Sequence, residues 1–201
     1  GDRTRWRDRN EGRCVEGPVE VEVRVRGGQV TGVETLDGSA RRSPAARDLG
    51  RVDAGDAVAF LLDAARRGGS GRGVEDAIFP VMLADVAEAW RDILDVARDR
   101  SVAGDVRKSA LFWLGQEAAA AATEGLAEVA SDEDEEQEVR EAVVFALSQR
   151  PSSEGVPILM ELARTAREPG TRKSAFLWLA QSDDERVVGF FQEVLLGRRG
   201  G

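Results

Sequence analysis

The chain has 201 residues, a formal net charge of −9, and neither histidine nor tyrosine. This length allows one substantial hydrophobic core or two small ones, and no apolar run is long enough to predict a membrane span. The acidic balance argues against a nucleic acid partner. The missing residue types remove the commonest general base, the commonest zinc ligand and every Ser-His or Cys-His nucleophile pair. We therefore predict no catalytic residues, no metal and no cofactor.

Residues 1–52 are predicted to form an N-terminal arm and a β-hairpin. The opening stretch is rich in arginine and poor in apolar side chains, so it cannot fold alone, and Trp6 is its candidate anchor. Valines then alternate with charged residues, which is typical of a half-buried strand. Gly27 and Gly28 supply positions that tolerate positive φ, so residues 18–36 should form a hairpin that packs on another element.

Cys14 is the only cysteine and cannot form a disulfide within this chain. Two interpretations stay open, a free thiol without a role and a bridge to a segment outside this chain. The unpaired cysteine and the first residue, which is Gly rather than Met, slightly favour an exported bacterial protein. A chain trimmed at its start would look the same, so the localisation is left open.

Residues 53–103 are predicted to form a divergent first helical pair. Asp53 suits the N-cap of a helix that runs to about Arg67, and a glycine-rich stretch then ends that helix. After Pro80, apolar residues recur at helical spacing, and this pattern predicts one helix through about Arg98.

A decamer recurs in the second half of the chain. RKSALFWLGQ begins at Arg107, RKSAFLWLAQ begins at Arg172, and a diverged copy, REAVVFALSQ, begins at Arg140, with spacings of 33 and 32 residues. Each copy carries an apolar stripe at helical spacing, and a second apolar helix follows it, at roughly residues 119–130, 155–166 and 185–196. One helix pair cannot bury both of its faces, so neighbouring pairs must stack. Residues 104–201 are therefore predicted to be three repeats, and the fold class to be mainly α, an α-solenoid with a small N-terminal β-hairpin.

These segments resemble short HEAT repeats, of the kind also found in bacterial phycobilin lyase-like proteins. The resemblance rests on DVRKSALFWLGQ, EVREAVVFALSQ and TRKSAFLWLAQ, where Thr171 stands in place of the usual valine. It implies a curved stack of antiparallel helices whose second helices line a concave face that holds another macromolecule. The candidate binding residues that it implies on this face are Glu124, Glu128, Glu161, Arg164, Gln192 and Glu193. A solvated helix face would explain these polar residues equally well.

Two further sets of residues recur at equivalent positions. Arg107, Arg140 and Arg172 would form a binding ladder or, as is common in HEAT-like stacks, tie one repeat to an acid or carbonyl of the next, and we favour the structural role. Trp113 and Trp178 would be interface anchors or inter-repeat packing, and the continuous apolar stripe favours packing. The acidic run at residues 131–138 lacks the glycine and spaced aspartates of a calcium loop.

The sequence favours a non-catalytic scaffold for protein–protein interaction. The alternative is a self-assembling structural protein, forming filaments or oligomers by stacking through repeat ends. A lyase-type enzyme is the third hypothesis, and only paired carboxylates would be available for its chemistry. The expected partner is another protein or a second copy of the chain.

Overall fold

The computed structural model describes residues 6–7, 14–15, 18–36, 42–68, 73–84 and 86–196. The chain divides into two compact units, residues 1–110 and residues 111–201. The domain boundary that we predicted after residue 103 is based on the register of the repeats, whereas the two compact units divide after residue 110. The predicted boundary stays a prediction. The predictions for the Trp6 and Cys14 side chains lie outside the described part of the chain.

The N-terminal β-structure consists of two antiparallel ladders. Strands β1 (Trp6–Arg7) and β2 (Cys14–Val15) form a two-residue ladder that the sequence did not predict. Strands β3 (Glu20–Arg26) and β4 (Gln29–Leu36) form the predicted hairpin. Its turn places Gly27 at φ 57° and Gly28 at φ 78°, the left-handed conformation that favours glycine in a two-residue hairpin turn.

The hairpin packs on the helical part of the first unit. Strand β4 contacts a short 3-10 turn at Glu75–Ala77. Val33 is fully buried, and its backbone N–H donates to the Gly73 carbonyl at 2.7 Å. This contact supplies the support that an isolated hairpin needs in water.

Three α-helices follow in the first unit, α1 (Ala54–Arg67), α2 (Ile78–Leu83) and α3 (Ala89–Arg98). The predicted α1 is confirmed, and its N-cap Asp53 accepts the backbone N–H of Gly55 at 2.8 Å and of Asp56 at 3.3 Å. The single helix predicted from Pro80 to Arg98 is wrong, because α2 ends early and Glu88 takes φ 61° before α3 begins. Apolar spacing continues across this break, so periodicity alone could not detect it.

The repeats supply the remaining six helices of the described chain, all within about one turn of their predicted positions. The first helices of the pairs are α4 (Gly104–Gly115), α6 (Gln137–Ser148) and α8 (Pro169–Ala180). The second helices are α5 (Ala120–Ser131), α7 (Ser152–Thr165) and α9 (Glu185–Leu196). The mainly α fold class with an N-terminal hairpin is confirmed.

Within the second unit, equivalent helices of consecutive pairs lie side by side. First helix α6 contacts α8, while second helices α5 and α9 both contact α7. Contacts of α6 with α5 and α7, and of α7 with α8, join the two rows. This is the nearest-neighbour stacking of an α-solenoid. The core between the rows contains Leu126, Val143, Leu147, Leu159 and Leu179, none of them more than 2% exposed.

Two glycines mark the closest helix approaches in this unit. A Cβ atom at Gly115, the last residue of α4, would lie 2.9 Å from the Ala146 carbonyl oxygen on α6. A Cβ atom at Gly155 on α7 would overlap the Leu147 carbonyl oxygen on α6. Both contacts leave no room for a side chain, so glycine is required by packing at these two positions.

Thr171 carries a buried hydroxyl at a repeat position that is valine elsewhere. Val106, Val139 and Thr171 are 2%, 0% and 2% exposed, and the Thr171 hydroxyl makes no hydrogen bond to any described residue. Since an unpaired buried hydroxyl is costly, we expect Thr171→Val to raise the free energy of unfolding by about 1–2 kcal/mol, as measured by urea denaturation. Val139→Thr is the reciprocal control and should lower it. A less stable Thr171→Val chain would contradict this prediction.

Candidate interaction surface on the second helices

Three glutamates occupy equivalent positions on consecutive second helices of the second unit. Glu128 on α5, Glu161 on α7 and Glu193 on α9 are separated by 33 and 32 residues, the same spacings as the repeated arginines. All three side chains are exposed. Because α7 contacts both α5 and α9, these glutamates form a row across neighbouring helices, which we name the acidic row.

Arg164 connects two members of the predicted surface. Its Nη2 donates to Glu193 Oε2 at 3.0 Å, and its guanidinium carbon lies 4.7 Å from the centre of the Phe190 ring. The pair joins α7 to α9 and partly neutralises one end of the acidic row. Both partners are about half exposed, so the ion pair contributes little to stability.

The other two predicted binding residues lie outside this row. Glu124 and Gln192 are exposed, but neither recurs as a polar residue, since Pro157 and Gly189 correspond to Glu124 and Met160 corresponds to Gln192. The structure thus brings Arg164 and Glu193 together and leaves all six predicted residues accessible. Their role in binding stays a proposal.

The acidic row lies in a strongly acidic unit. Residues 111–196 contain 17 Asp and Glu residues and 7 Lys and Arg residues, which give a net charge of −10. A surface in this unit will attract a basic partner and repel an acidic one at low ionic strength.

Each repeated arginine donates to backbone carbonyls that precede its own helix. Arg107 Nε donates to the Ala97 carbonyl at 2.9 Å, in the last turn of α3. Arg140 Nη1 donates to the carbonyls of Glu133, at 3.1 Å, and Glu135. Arg172 Nη1 donates to the carbonyls of Ala166 and Arg167 at 2.6 and 2.8 Å. These bonds satisfy carbonyls at or just beyond a helix end, which supports the structural role over a binding ladder.

The aromatic residues of the first helices form a continuous row in the second unit. Phe112 stacks on Phe145 with ring centres 6.2 Å apart, and Phe145 contacts Trp178 at 5.0 Å. Trp113 packs edge-on against Phe112 at 5.0 Å. Both tryptophans are half-buried. The contacts of Phe145 run from one repeat to the next, which supports the packing role of Trp178. The Trp113 contact with Phe112 lies within α4 and supports packing inside one repeat.

Sequence reasoning missed the buried residue Arg150, in the loop between α6 and α7. Its Nε donates to Thr123 Oγ1 at 2.7 Å, and its Nη2 donates to the Ala119 carbonyl at 3.1 Å and to Glu154 Oε2 at 2.9 Å. Its Nη1 donates to the Glu117 carbonyl. Glu117 and Ser182 occupy the corresponding positions of the other copies, so the repeat comparison could not find it. The available signal was an acid, Glu154, four residues after an arginine.

Hydrogen bonds also fix two carboxylates at the starts of second helices. Those from the Thr123 hydroxyl and the Arg150 guanidinium lower the pKa of Glu154. Asp184 accepts two hydrogen bonds from the Arg186 guanidinium, at 2.7 and 2.8 Å, and one from the Arg186 backbone N–H, at 3.0 Å, and these lower its pKa to about 2. Arg186 also donates to the Ser152 carbonyl at 2.7 Å and so links the start of α9 to that of α7.

No metal centre is found in the described part of the chain. Its His, Cys, Asp and Glu residues form no group of three able to hold a metal ion. A cavity of about 380 Å³ opens beside Arg140, Arg167 and Thr171, and the Arg140 Nε and Thr171 hydroxyl atoms there are closed to solvent. A ligand in the cavity therefore could not reach these two atoms without movement of the protein.

Among the described helices, none is both long enough and apolar enough to cross a membrane.

The repeat geometry agrees with a comparison to known families. A family model described as HEAT repeats matches residues 91–180 and, in an overlapping second match, residues 123–197. Together the matches span a little over half of the 201 residues and contain all six repeat helices. No curated protein matched the chain. HEAT repeats are commonly protein-interaction scaffolds and are typically non-catalytic. On its repeat spacing, its stacked helix pairs and this match, the chain belongs to the HEAT-repeat family.

Proposed function

We propose that the chain is a non-catalytic scaffold that holds a basic segment of another protein against its second helices. The observation that carries this proposal is the acidic row, Glu128, Glu161 and Glu193, exposed at one register position on three neighbouring helices. The net charge of −10 over residues 111–196 supports a basic partner, and the absence of histidine and tyrosine supports a non-catalytic role. The same acidic balance argues against a nucleic acid partner.

The spacing of the acidic row favours an extended partner segment. Packed helices lie about 8–10 Å apart, and an extended polyproline II segment advances about 3.1 Å per residue with three residues per turn, so every third side chain lies on the same face. A lysine or arginine at every third residue of such a segment would therefore meet successive glutamates. Each exposed ion pair contributes about 0.2–1 kcal/mol, so three pairs give moderate affinity and clear dependence on spacing.

A peptide pair tests this proposal. We expect a labelled nine-residue peptide with lysines at every third position to bind more tightly than an isomer with its three lysines adjacent, as measured by fluorescence anisotropy at low salt. Neutralising the acidic row with three Glu→Gln substitutions should weaken binding of the spaced peptide about tenfold, by the loss of its three ion pairs. Arg164→Ala frees Glu193 and should strengthen that binding.

The control is a triple variant with the same net charge, Glu136→Gln, Glu138→Gln and Glu141→Gln, at the start of first helix α6. It should bind the spaced peptide within about twofold of the unchanged chain, because its substitutions lie away from the second helices. Equal losses in the two triple variants would show that only the overall charge attracts the peptide and would reject the acidic row as a binding surface.

Self-association through the end of the repeat stack is a second candidate function. It is supported by Leu195 and Leu196 of α9, which are 80% and 68% exposed. A contact between two different surfaces would extend into filaments, whereas a contact between two identical surfaces would close as a dimer.

The narrower likeness to bacterial phycobilin lyase-like proteins carries the least support. A lyase activity would have to rely on carboxylates, since the sequence provides no histidine or tyrosine. The bacterial origin and the export suggested by the sequence are expectations on which this proposal does not depend.

A further inference from the structure

Three large apolar residues reach the surface at one register position of the first helices. Phe112, Phe145 and Leu177 are separated by 33 and 32 residues, and we name them the first-helix row. Phe112 is 40% exposed and Leu177 is 56% exposed, while Phe145 is half-buried. The ring centres of Phe112 and Phe145 lie 6.2 Å apart, so the row continues from one helix to the next.

The exposure of this row does not arise from the end of the repeat stack. Phe145 lies on the middle first helix, with Phe112 of α4 on one side and Trp178 of α8 on the other. Phe112 has a complete repeat after it and is still 40% exposed. The row therefore lies along the side of the stack, where a further repeat beyond α9 would leave Phe112 and Phe145 uncovered.

Polar residues border the row on both sides along the helix axes. Gln116, Gln149 and Gln181 follow the three row residues by four positions, and all three glutamines are exposed. Four positions before the row stand Glu141 on α6 and Lys173 on α8, which are also exposed. Residues four apart lie on one face of a helix, so α6 and α8 each present a charge, an apolar side chain and an amide in that order.

We propose that the first-helix row is covered by the first-helix row of a second copy, about a two-fold axis that runs along the row. Each row residue then meets the same residue of the other copy, and the facing helices are antiparallel. The contact joins identical surfaces and therefore closes as a dimer. Burial of the apolar side chains is its driving force.

Charge favours the antiparallel direction. It brings the glutamine end of each helix to the charged end of the facing helix, so that Gln149 meets Glu141 and Gln181 meets Lys173. An amide group both donates and accepts hydrogen bonds, so glutamine suits either charge. Parallel helices would instead place Glu141 against Glu141 of the second copy, and like charges that face each other across an interface are costly.

The expected dimer is weak. Three 12-residue helices, about 18 Å long and about 8–10 Å apart, offer a face of roughly 400–500 Å² per copy. The two faces together bury less than the roughly 1,200 Å² at the lower end of stable interfaces, so we expect a dissociation constant on the order of tens of micromolar. The dimer does not use the second helices, so it leaves the acidic row free and does not depend on peptide binding there.

Salt distinguishes this dimer from binding at the acidic row. Two copies that each carry a net charge of −9 repel one another, and added salt screens the repulsion. We therefore expect the dimer to tighten as the salt concentration rises, whereas a basic peptide at the acidic row should bind more weakly. A dimer that dissociates on addition of salt would contradict an apolar interface.

Sedimentation equilibrium of the full chain tests this inference between about 5 µM and about 500 µM, a range that brackets the expected constant. We expect a reversible monomer–dimer equilibrium that does not grow further. Leu177→Asp should raise the dissociation constant at least tenfold, because it sets two carboxylates against each other, and circular dichroism should show an unchanged fold. Val188→Asp is the matched control, because Val188 is also apolar and exposed, at 62%, but lies on second helix α9. It should dimerise like the unchanged chain.

Cysteine cross-linking on the middle first helix tests the direction of the helices in a Cys14→Ser background. A short bismaleimide should link a mixture of Glu141→Cys and Gln149→Cys chains faster than it links either variant alone. Parallel helices would favour the single variants, and that result would overturn the antiparallel arrangement.

The remaining outcomes separate this interface from other contacts. A monomer at all concentrations would overturn the dimer, and growth into filaments would overturn a closed contact between identical rows. A dimer that survives Leu177→Asp would show that another surface pairs. Loss of the dimer in Val188→Asp alone would assign the contact to α9, at the end of the repeat stack.

Discussion

Replacing Arg150 with leucine is expected to lower the free energy of unfolding by about 3–5 kcal/mol. The Arg150 side chain is only 1% exposed and donates to two backbone carbonyls, a hydroxyl and a carboxylate. Leucine would fill part of the space but remove all four hydrogen bonds of the guanidinium and the positive charge beside Glu154, in a largely buried region where lost polar partners are costly. Urea denaturation followed by circular dichroism measures the change.

Two variants make the Arg150 result interpretable. Arg150→Lys keeps the charge but cannot reproduce the planar set of donors. Its free energy of unfolding should therefore lie between those of Arg150→Leu and the unchanged chain. Arg167→Leu removes an arginine that is 81% exposed and pairs with Glu133. This substitution should lower the free energy of unfolding by less than about 1 kcal/mol. Equal losses in Arg150→Leu and Arg167→Leu would contradict a special role for the buried arginine.

Gly155→Ala is expected to lower the free energy of unfolding by about 3 kcal/mol, although alanine normally stabilises a helix. The added Cβ would overlap the Leu147 carbonyl oxygen and lie 3.3 Å from the Arg150 Cβ. Since the first of these contacts is backbone, α7 would have to move away from α6. The same denaturation experiment measures the loss.

The control for this substitution is another helical glycine, Gly189 on α9. A Cβ there would meet no atom within 4 Å, so Gly189→Ala should raise the free energy of unfolding by about 0.5–1 kcal/mol in dilute protein. A Gly155→Ala chain that gained stability as Gly189→Ala does would show that α6 and α7 are farther apart than the structure has them.

The repeats were predictable because each copy supplies the same information again. Arg107, Arg140 and Arg172 set the register, and every helix from α4 to α9 follows from it. The first unit has no such redundancy. There, apolar spacing ran across the turn at Glu88 and predicted one helix in place of two.

The candidate site was predictable only in part. Exposure of the acidic row follows from its polar position on each second helix. The Arg164–Glu193 ion pair joins two helices at residues of different register positions, so no comparison of repeats could reveal it.

The acceptors of the repeated arginines are main-chain carbonyls, which every residue possesses. Arg140 binds its carbonyls in an acidic loop, and Arg172 binds the carbonyls of Ala166 and Arg167. Substitution of a loop side chain therefore leaves the hydrogen bond intact. The loops between repeats can diverge during evolution, and acquire new charges for new partners, while the same arginine continues to anchor each helix.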